Sequence, residues 1–421
     1  MYLKLLIITI LIGIISGFFI TFYELLIIFV RYFLFLGDPS KTIPTLPIWY
    51  IYTLPTFAII IVNFIVSKDK NIREYGVNEI ADSITQNKMV ITFKTLIFKI
   101  IASVLSVATG FMVGTEGPSA GIGAMIAYHI HKLYKMPKVL LKMLISVGAT
   151  SGIAAIFVSP ITGIAFAFEN IAYQFLKQYI GYMILAAVLA FSISVHYLEP
   201  ITFKYSIGKN FENIYIIANL IFIPFITFFI YLYLYLKKYL LHIIDNYLFK
   251  NYPASRKYIF SIIGGFVIGS VLLIEPHAAF SGKSIVTYLI NHETTIPLTI
   301  IFILIILRII GTTLSIYTNA VGGIFLPLMS IGALVGYGFG ELMQFLNFNI
   351  EPFYFAAIGA SVFMGVLMKL PLTALVLSVE TTFDYNIVVA TGISVVLVEY
   401  ISSLKFNINK KSITKAEKID K

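Results

Sequence analysis

Pro118-Ser119-Ala120-Gly121-Ile122-Gly123-Ala124 is echoed about two hundred residues later by Pro327-Leu328-Met329-Ser330-Ile331-Gly332-Ala333. Some forty residues after each lies a second matched pair: Pro160-Ile161-Thr162 runs on to Glu169, and Pro371-Leu372-Thr373 to Glu380. Order and spacing are both kept. A weak internal repeat whose best-matched positions are Gly/Pro breaks in hydrophobic segments points to two related halves, with a site where broken helices meet.

The composition sets the solvent. Hydrophobic residues make up 59% of the 421 and charged residues 12%, against roughly 25% charged in soluble domains. Apolar runs occur near 4–35, 46–66, 92–113, 138–158, 179–197, 213–236, 256–274, 297–318 and 386–404, and a spanning helix needs about 20 residues. Barrel strands would be shorter and would alternate. The class is therefore an all-α polytopic membrane protein. The first run, too long for a signal-peptide core, is expected to be a retained helix.

The formal charge of +10 does not call for nucleic acid. Its Lys and Arg gather at Lys68-Asp69-Lys70, Lys132 to Lys138, Lys237-Lys238, Arg256-Lys257 and Lys405 to Lys421, where they set membrane orientation and argue for a cytoplasmic C-terminus. With no cysteine in the chain, disulfides and thiolate metal sites are excluded, and no cofactor or metal is expected. The repeat divides the chain into a first membrane repeat at 1–200, a polar link, a second repeat at 213–404 and a basic tail at 405–421, too short for a folded regulatory domain.

The breaks carry the chemistry. In Gly110-Phe111-Met112-Val113-Gly114-Thr115-Glu116-Gly117-Pro118 one apolar run closes and another opens, and Pro suits the first turn of a helix. A helix starting there leaves free N–H groups at membrane depth, a ready anion site. Gly322-Gly323-Ile324-Phe325-Leu326-Pro327 repeats the arrangement, and Tyr75-Gly76-Val77-Asn78-Glu79-Ile80 is a third candidate start. Three such starts could hold one dehydrated anion without a full positive charge, weakly enough to release it. The plainer alternative is packing glycines with no ligand.

Glu116 is the sharpest residue, since a carboxylate in an apolar segment is costly. Ionised, it can occupy the anion site itself; protonated, it can withdraw. It would be both gate and proton acceptor, or else an N-terminal capping acid.

These residues resemble the CLC family of chloride channels and chloride/proton antiporters. Gly114-Thr115-Glu116-Gly117-Pro118 is similar to the family's G-[KR]-E-G-P motif, and Gly323-Ile324-Phe325-Leu326-Pro327 to its G-x-F-x-P motif. Tyr75 to Ile80 resembles G-S-G-I-P-E-[IV] with a ring residue in place of serine. The resemblance implies transport of a small anion, chloride first, by a homodimer in the cell membrane, each subunit an all-α fold of two inverted-topology repeats of tilted and broken helices. It implies that Glu116 is the external gating glutamate and that Tyr75, Gly76, Val77, Gly114, Glu116, Gly117, Gly323, Ile324 and Phe325 surround the ion. The fluoride/proton antiporter branch of the same family is the alternative.

Three departures stand out. Thr115 replaces the motif's basic residue, Tyr75 the coordinating serine, and Asn170 the antiporters' internal proton-transfer glutamate; an amide cannot carry that proton. Glu169, about 100° around the helix from Asn170, and its counterpart Glu380 are expected to be structural. The family's C-terminal central tyrosine has no clean counterpart in Ser402 to Asn407. Arg308, mid-run, is expected to pair with an acid or to face a vestibule. Glu24 with Arg31 has the spacing of a helix-face ion pair, and His129 and His131 read as interfacial. An intramembrane hydrolase would need a nucleophile and base or metal ligands; H-E-x-x-H does not occur, and no G-x-S-x-G with a plausible partner emerges.

Overall fold

Long apolar runs without backbone partners in lipid must satisfy their own hydrogen bonds, and helices do so segment by segment. The computed structural model describes residues 2–73, 92–170, 176–203, 213–244, 256–291 and 296–416. Its helices of eight residues or more are α1 (Tyr2–Leu34), α2 (Ile48–Lys68), α3 (Phe93–Ala108), α4 (Glu116–Leu133), α5 (Leu141–Phe157), α6 (Pro160–Asn170) and α7 (Leu176–Ser194) in the first part. The second part holds α8 (Asn213–Ile243), α9 (Arg256–Ile274), α10 (Lys283–Asn291), α11 (Leu298–Tyr317), α12 (Phe325–Phe345), α13 (Pro352–Met368), α14 (Pro371–Thr382) and α15 (Ile387–Ala416). Each of the nine apolar runs read from the sequence falls on a helix.

Continuous helices lie outside and broken ones inside. α1, α2 and α8 turn apolar side chains such as Phe18, Phe57 and Phe228 outward, a surface that suits lipid rather than water. α4 and α12, in contrast, are buried along most of their length. Small residues make that possible: a Cβ at Gly123 would run into the Gly148 carbonyl oxygen, and one at Gly332 into that of Gly359. The pairs α4/α5 and α12/α13 are thereby brought backbone to backbone at matching positions of the two repeats.

The ends match too. α5 closes on Val158 and α13 on Lys369, both left-handed (φ 52° and 60°), and in each case a proline opens the next helix two residues on. α6 and α14 then pack against one another and exchange caps. The Glu169 carboxylate, at the end of α6, accepts from Leu372 N (2.7 Å), Thr373 N (2.8 Å) and Thr373 Oγ1 (2.6 Å) at the start of α14. Glu380 on α14 accepts from Ile161 N (3.1 Å), Thr162 N (2.6 Å), Thr162 Oγ1 (2.6 Å) and Ser159 Oγ at the start of α6. Each carboxylate meets N–H groups that its neighbour's first turn leaves unpaired. The structural part expected of Glu169 and Glu380 is this reciprocal clasp.

Candidate functional site

Two glycine stretches, 110–115 and 319–324, cross at the centre. Gly114 N donates to Gly323 O (2.7 Å) and Gly323 N to Gly114 O (2.8 Å), the one isolated bridge among the described residues. Each stretch is also tied to a helix of the opposite repeat. Met112 N donates to Ser315 Oγ on α11 (2.9 Å), and Val321 N to Ser106 Oγ on α3 (3.0 Å). Backbone that would be costly at membrane depth is thus paired within protein.

This crossing sets the N-termini of α4 and α12 face to face. In both helices the third residue is proline, Pro118 or Pro327, and the next N–H, that of Ser119 or Leu328, already bonds the Thr115 or Ile324 carbonyl (3.0 Å each). The donors without an intrahelical acceptor are therefore those of Glu116 and Gly117 on α4 and of Phe325 and Leu326 on α12. Aligned peptide dipoles add partial positive charge at the same point.

A carboxylate occupies it. Glu116, 2% exposed, places Oε1 at 2.6 Å from Phe325 N, from which it accepts, while its Oε2 is buried without a hydrogen-bond partner. Room for the carboxylate comes from the two bridge glycines, since a Cβ at Gly114 would run into Oε2 and one at Gly323 into Oε1. Gly117 lies against the same bridge, its Cβ position 3.4 Å from Gly323 Cα. The Phe325 ring, on the residue whose N–H the carboxylate meets, is packed on Phe157 (centroids 4.6 Å apart) and Phe166 (5.8 Å).

Gly114, Glu116, Gly117, Gly323, Ile324 and Phe325 thus come together. Tyr75, Gly76 and Val77, and with them the third helix start, lie outside the described residues. Phe157 and Phe166, unremarked in the sequence, pack on Phe325; their only sequence signal was their place beside the second matched pair. Asn170 ends α6 with its Nδ2 buried and unbonded.

Two expectations need correction. Arg308, fully buried on α11, bonds no acid among the described residues: its Nη1 donates to the carbonyls of Ala278 (3.0 Å), Ala279 (3.2 Å) and Phe280 (3.1 Å), and its Nη2 to that of Ser281 (3.2 Å). A turn that leaves successive carbonyls at one point satisfies a guanidinium as well as a carboxylate does. Glu24, expected to pair with Arg31, leaves its Oε2 buried without a hydrogen-bond partner, as Arg31 leaves its Nε, while the charges of Arg31 and Lys283 act on it. Glu24 also lines a cavity of about 580 Å³ whose wall includes Arg31, Asp38, Glu199, His277 and Lys283.

Comparison with known proteins agrees with this architecture. The family model described as voltage gated chloride channel matches residues 56–403. The H(+)/Cl(-) exchange transporter ClcA of Vibrio cholerae is 27% identical over 326 residues, covering 74% of this chain and 67% of that protein. Among solved structures, a slow cyanobacterial Cl-/H+ antiporter superposes with a TM-score of 0.83 at 19% identity, covering 95% of this chain and 94% of the other. A CLC-type fluoride/proton antiporter does so with a TM-score of 0.75 at 20% identity, covering 95% of each. At those identities the superpositions speak to the fold alone.

Proposed function

The chain belongs to the voltage gated chloride channel family, and from that premise we propose that this multi-pass membrane protein carries chloride across the cell membrane through the point where α4 and α12 meet. The observation that carries the reading is the Glu116 carboxylate seated on the α12 N-terminus, where an anion would sit. Ionised Glu116 closes the path by competing for the same N–H donors; protonated, it loses the charge that those donors favour and gives way to the anion. Transport is therefore tied to protons through one residue. The ion contacts we assign are Gly114, Glu116, Gly117, Gly323, Ile324 and Phe325, with Tyr75, Gly76 and Val77 as the third side. The two repeats run over 1–200 and 213–404.

Orientation follows from charge. Lys4 Nζ donates to Tyr134 O (3.0 Å), so the start of α1 lies at the basic segment Lys132 to Lys138, and an excess of Lys marks the cytoplasmic face. The cavity beside Glu24 then opens outward. Exposed Ile161 and Leu372, beside the two clasps, with outward Ile184 and Val188 on α7 and Val389 and Val396 on α15, form an apolar face suited to a second copy in a homodimer.

A fluoride/proton antiporter is the second reading, favoured by Tyr75 and Asn170 in place of the family's serine and internal glutamate. Proteoliposomes loaded with chloride or fluoride, with anion release and internal pH recorded together, separate the two. Chloride release that ceases to respond to pH in Glu116→Ala supports the reading. Fluoride release with chloride retained transfers the site to fluoride. No anion release from a folded protein overturns both.

A further inference from the structure

The turn between α4 and α5 mixes apolar side chains and lysines on one protruding surface. Leu133 and Val139 are 76% and 86% exposed, and Lys132, Lys135 and Lys138, all exposed, stand around them. Backbone bonds fix the turn. Lys135 is left-handed (φ 48°), which lets Met136 N reach His131 O (3.1 Å), and His131 Nε2 lies 3.2 Å from Pro137 O. Met136 and Leu140 are buried beneath it. Leu133 and Val139 are thus held outward by a turn whose inner residues are anchored.

Two more lysines reach the same end. Lys4 Nζ donates to Tyr134 O (3.0 Å). Lys94, in the first turn of α3, follows Phe93, whose ring meets that of His129 on α4 edge-on (centroids 6.3 Å apart). Residues 1–23 and 117–168 contain no acid. Asp69, bonded to the first turn of α3, is engaged by Thr95 Oγ1 (2.7 Å) and Asn71 N (3.0 Å). Lys132, Lys135 and Lys138 pair with no acid among the described residues.

Taking the cytoplasmic placement of this end from the reading above, we propose that the α4–α5 turn is a docking surface for anionic phospholipid of the cytoplasmic leaflet. Leu133 and Val139 insert at the boundary between headgroups and acyl chains, where apolar side chains are stabilised. The lysines lay their methylene stems along that boundary and carry their ammonium groups to the phosphates. Charge alone would suit a soluble phosphate, and apolar side chains alone would suit any lipid; the two together select a lipid that is anionic. Such a lipid holds the inner end of α4, the helix whose other end carries Glu116.

The test is binding of phosphatidylglycerol and of phosphatidylcholine to the whole protein in detergent, followed by native mass spectrometry. A lysine beside an anionic surface contributes about 5-fold in affinity. The triple variant Lys132→Gln, Lys135→Gln, Lys138→Gln should therefore weaken phosphatidylglycerol roughly 100-fold and leave phosphatidylcholine unchanged. Leu133→Ser with Val139→Ser should weaken both lipids. Glycerol 1-phosphate, which has the headgroup charge without acyl chains, should not displace phosphatidylglycerol at equal concentration. Equal phosphatidylglycerol affinity in the parent and the triple variant overturns the proposal, and so does displacement by glycerol 1-phosphate, which would make the surface a phosphate site. Because the chain has no cysteine, Val139→Cys carries a single thiol. A membrane-impermeant maleimide should label it only after cells are opened. Labelling of intact cells overturns the orientation on which the leaflet rests, whereas equal lipid affinities without such labelling overturn the docking surface alone.

Discussion

Removing the Glu116 carboxylate should tighten anion binding, and its present contact gives the size of the effect. Oε1 lies 2.6 Å from Phe325 N, the length of a charge-assisted hydrogen bond, and such bonds contribute about 1.5–3 kcal/mol. An anion arriving at the α12 N-terminus must first displace that bond. With Glu116→Ala the competitor is gone, and apparent affinity should rise by roughly 10- to 100-fold at about 1.4 kcal/mol per decade. Glu116→Gln keeps the shape but exchanges a charged acceptor for a neutral one worth about 0.5–1.5 kcal/mol, so its gain should be near 10-fold. The measurement is titration calorimetry of chloride, and separately fluoride, into detergent-solubilised protein at neutral pH. The two variants should order as Ala above Gln above the parent. Equal affinities in all three would refute the idea that the carboxylate and the anion compete for one site.

Gly323→Ala places a Cβ against Oε1 and should dislodge the gate, giving anion efflux with a weakened pH response; in a Glu116→Ala background the same substitution should have little further effect, a double-mutant cycle read by flux. Glu380→Gln and Glu169→Gln should each cost about 1–3 kcal/mol by leaving the first turn of the opposing helix underbonded, and the two should lower the thermal midpoint by similar amounts. Gly148→Ala forces a methyl onto the α4 backbone and should cost at least about 1–3 kcal/mol by overpacking, seen as loss of monodisperse protein on size-exclusion chromatography. Asn170→Glu should increase the protons moved per anion in proteoliposomes if the inner proton step is missing from this chain; an unchanged ratio would mean that the proton takes another route.

Much of this was legible because the decisive residues break a pattern. Pro118, Pro327, Pro160 and Pro371 interrupt long apolar runs at matched positions, so the helix starts could be placed from the sequence and Glu169 and Glu380 read as structural, though not as caps on each other's helix, and Glu116 stood out as a charge where none is cheap. What escaped depends on contacts between distant segments. The carbonyls that receive Arg308 belong to the backbone of 278–281, and backbone acceptors leave no trace in side-chain identity, so an acid was expected instead. Glu24 was matched with Arg31 because helical spacing is visible along one segment, whereas the cavity wall it shares with His277 and Lys283 joins segments far apart in the chain. Phe157 and Phe166 looked like any other rings in a chain with 36 Phe; only the crossing of the glycine stretches singles them out.

The reciprocal fastening of the repeats has a consequence for biosynthesis. Ser106 awaits the backbone of Val321, Gly114 awaits Gly323, and the first turn of α6 awaits Glu380. A nascent first repeat therefore enters the bilayer with open backbone and bare helix ends. At ~5–20 residues per second, the later partners emerge roughly 10–40 s afterwards. Throughout that interval the unfinished segment must borrow hydrogen bonds from water, lipid headgroups or the insertion machinery. Slow codons between the repeats would lengthen its exposure, which makes translation speed across residues 200–320 a determinant of how much protein reaches the membrane intact.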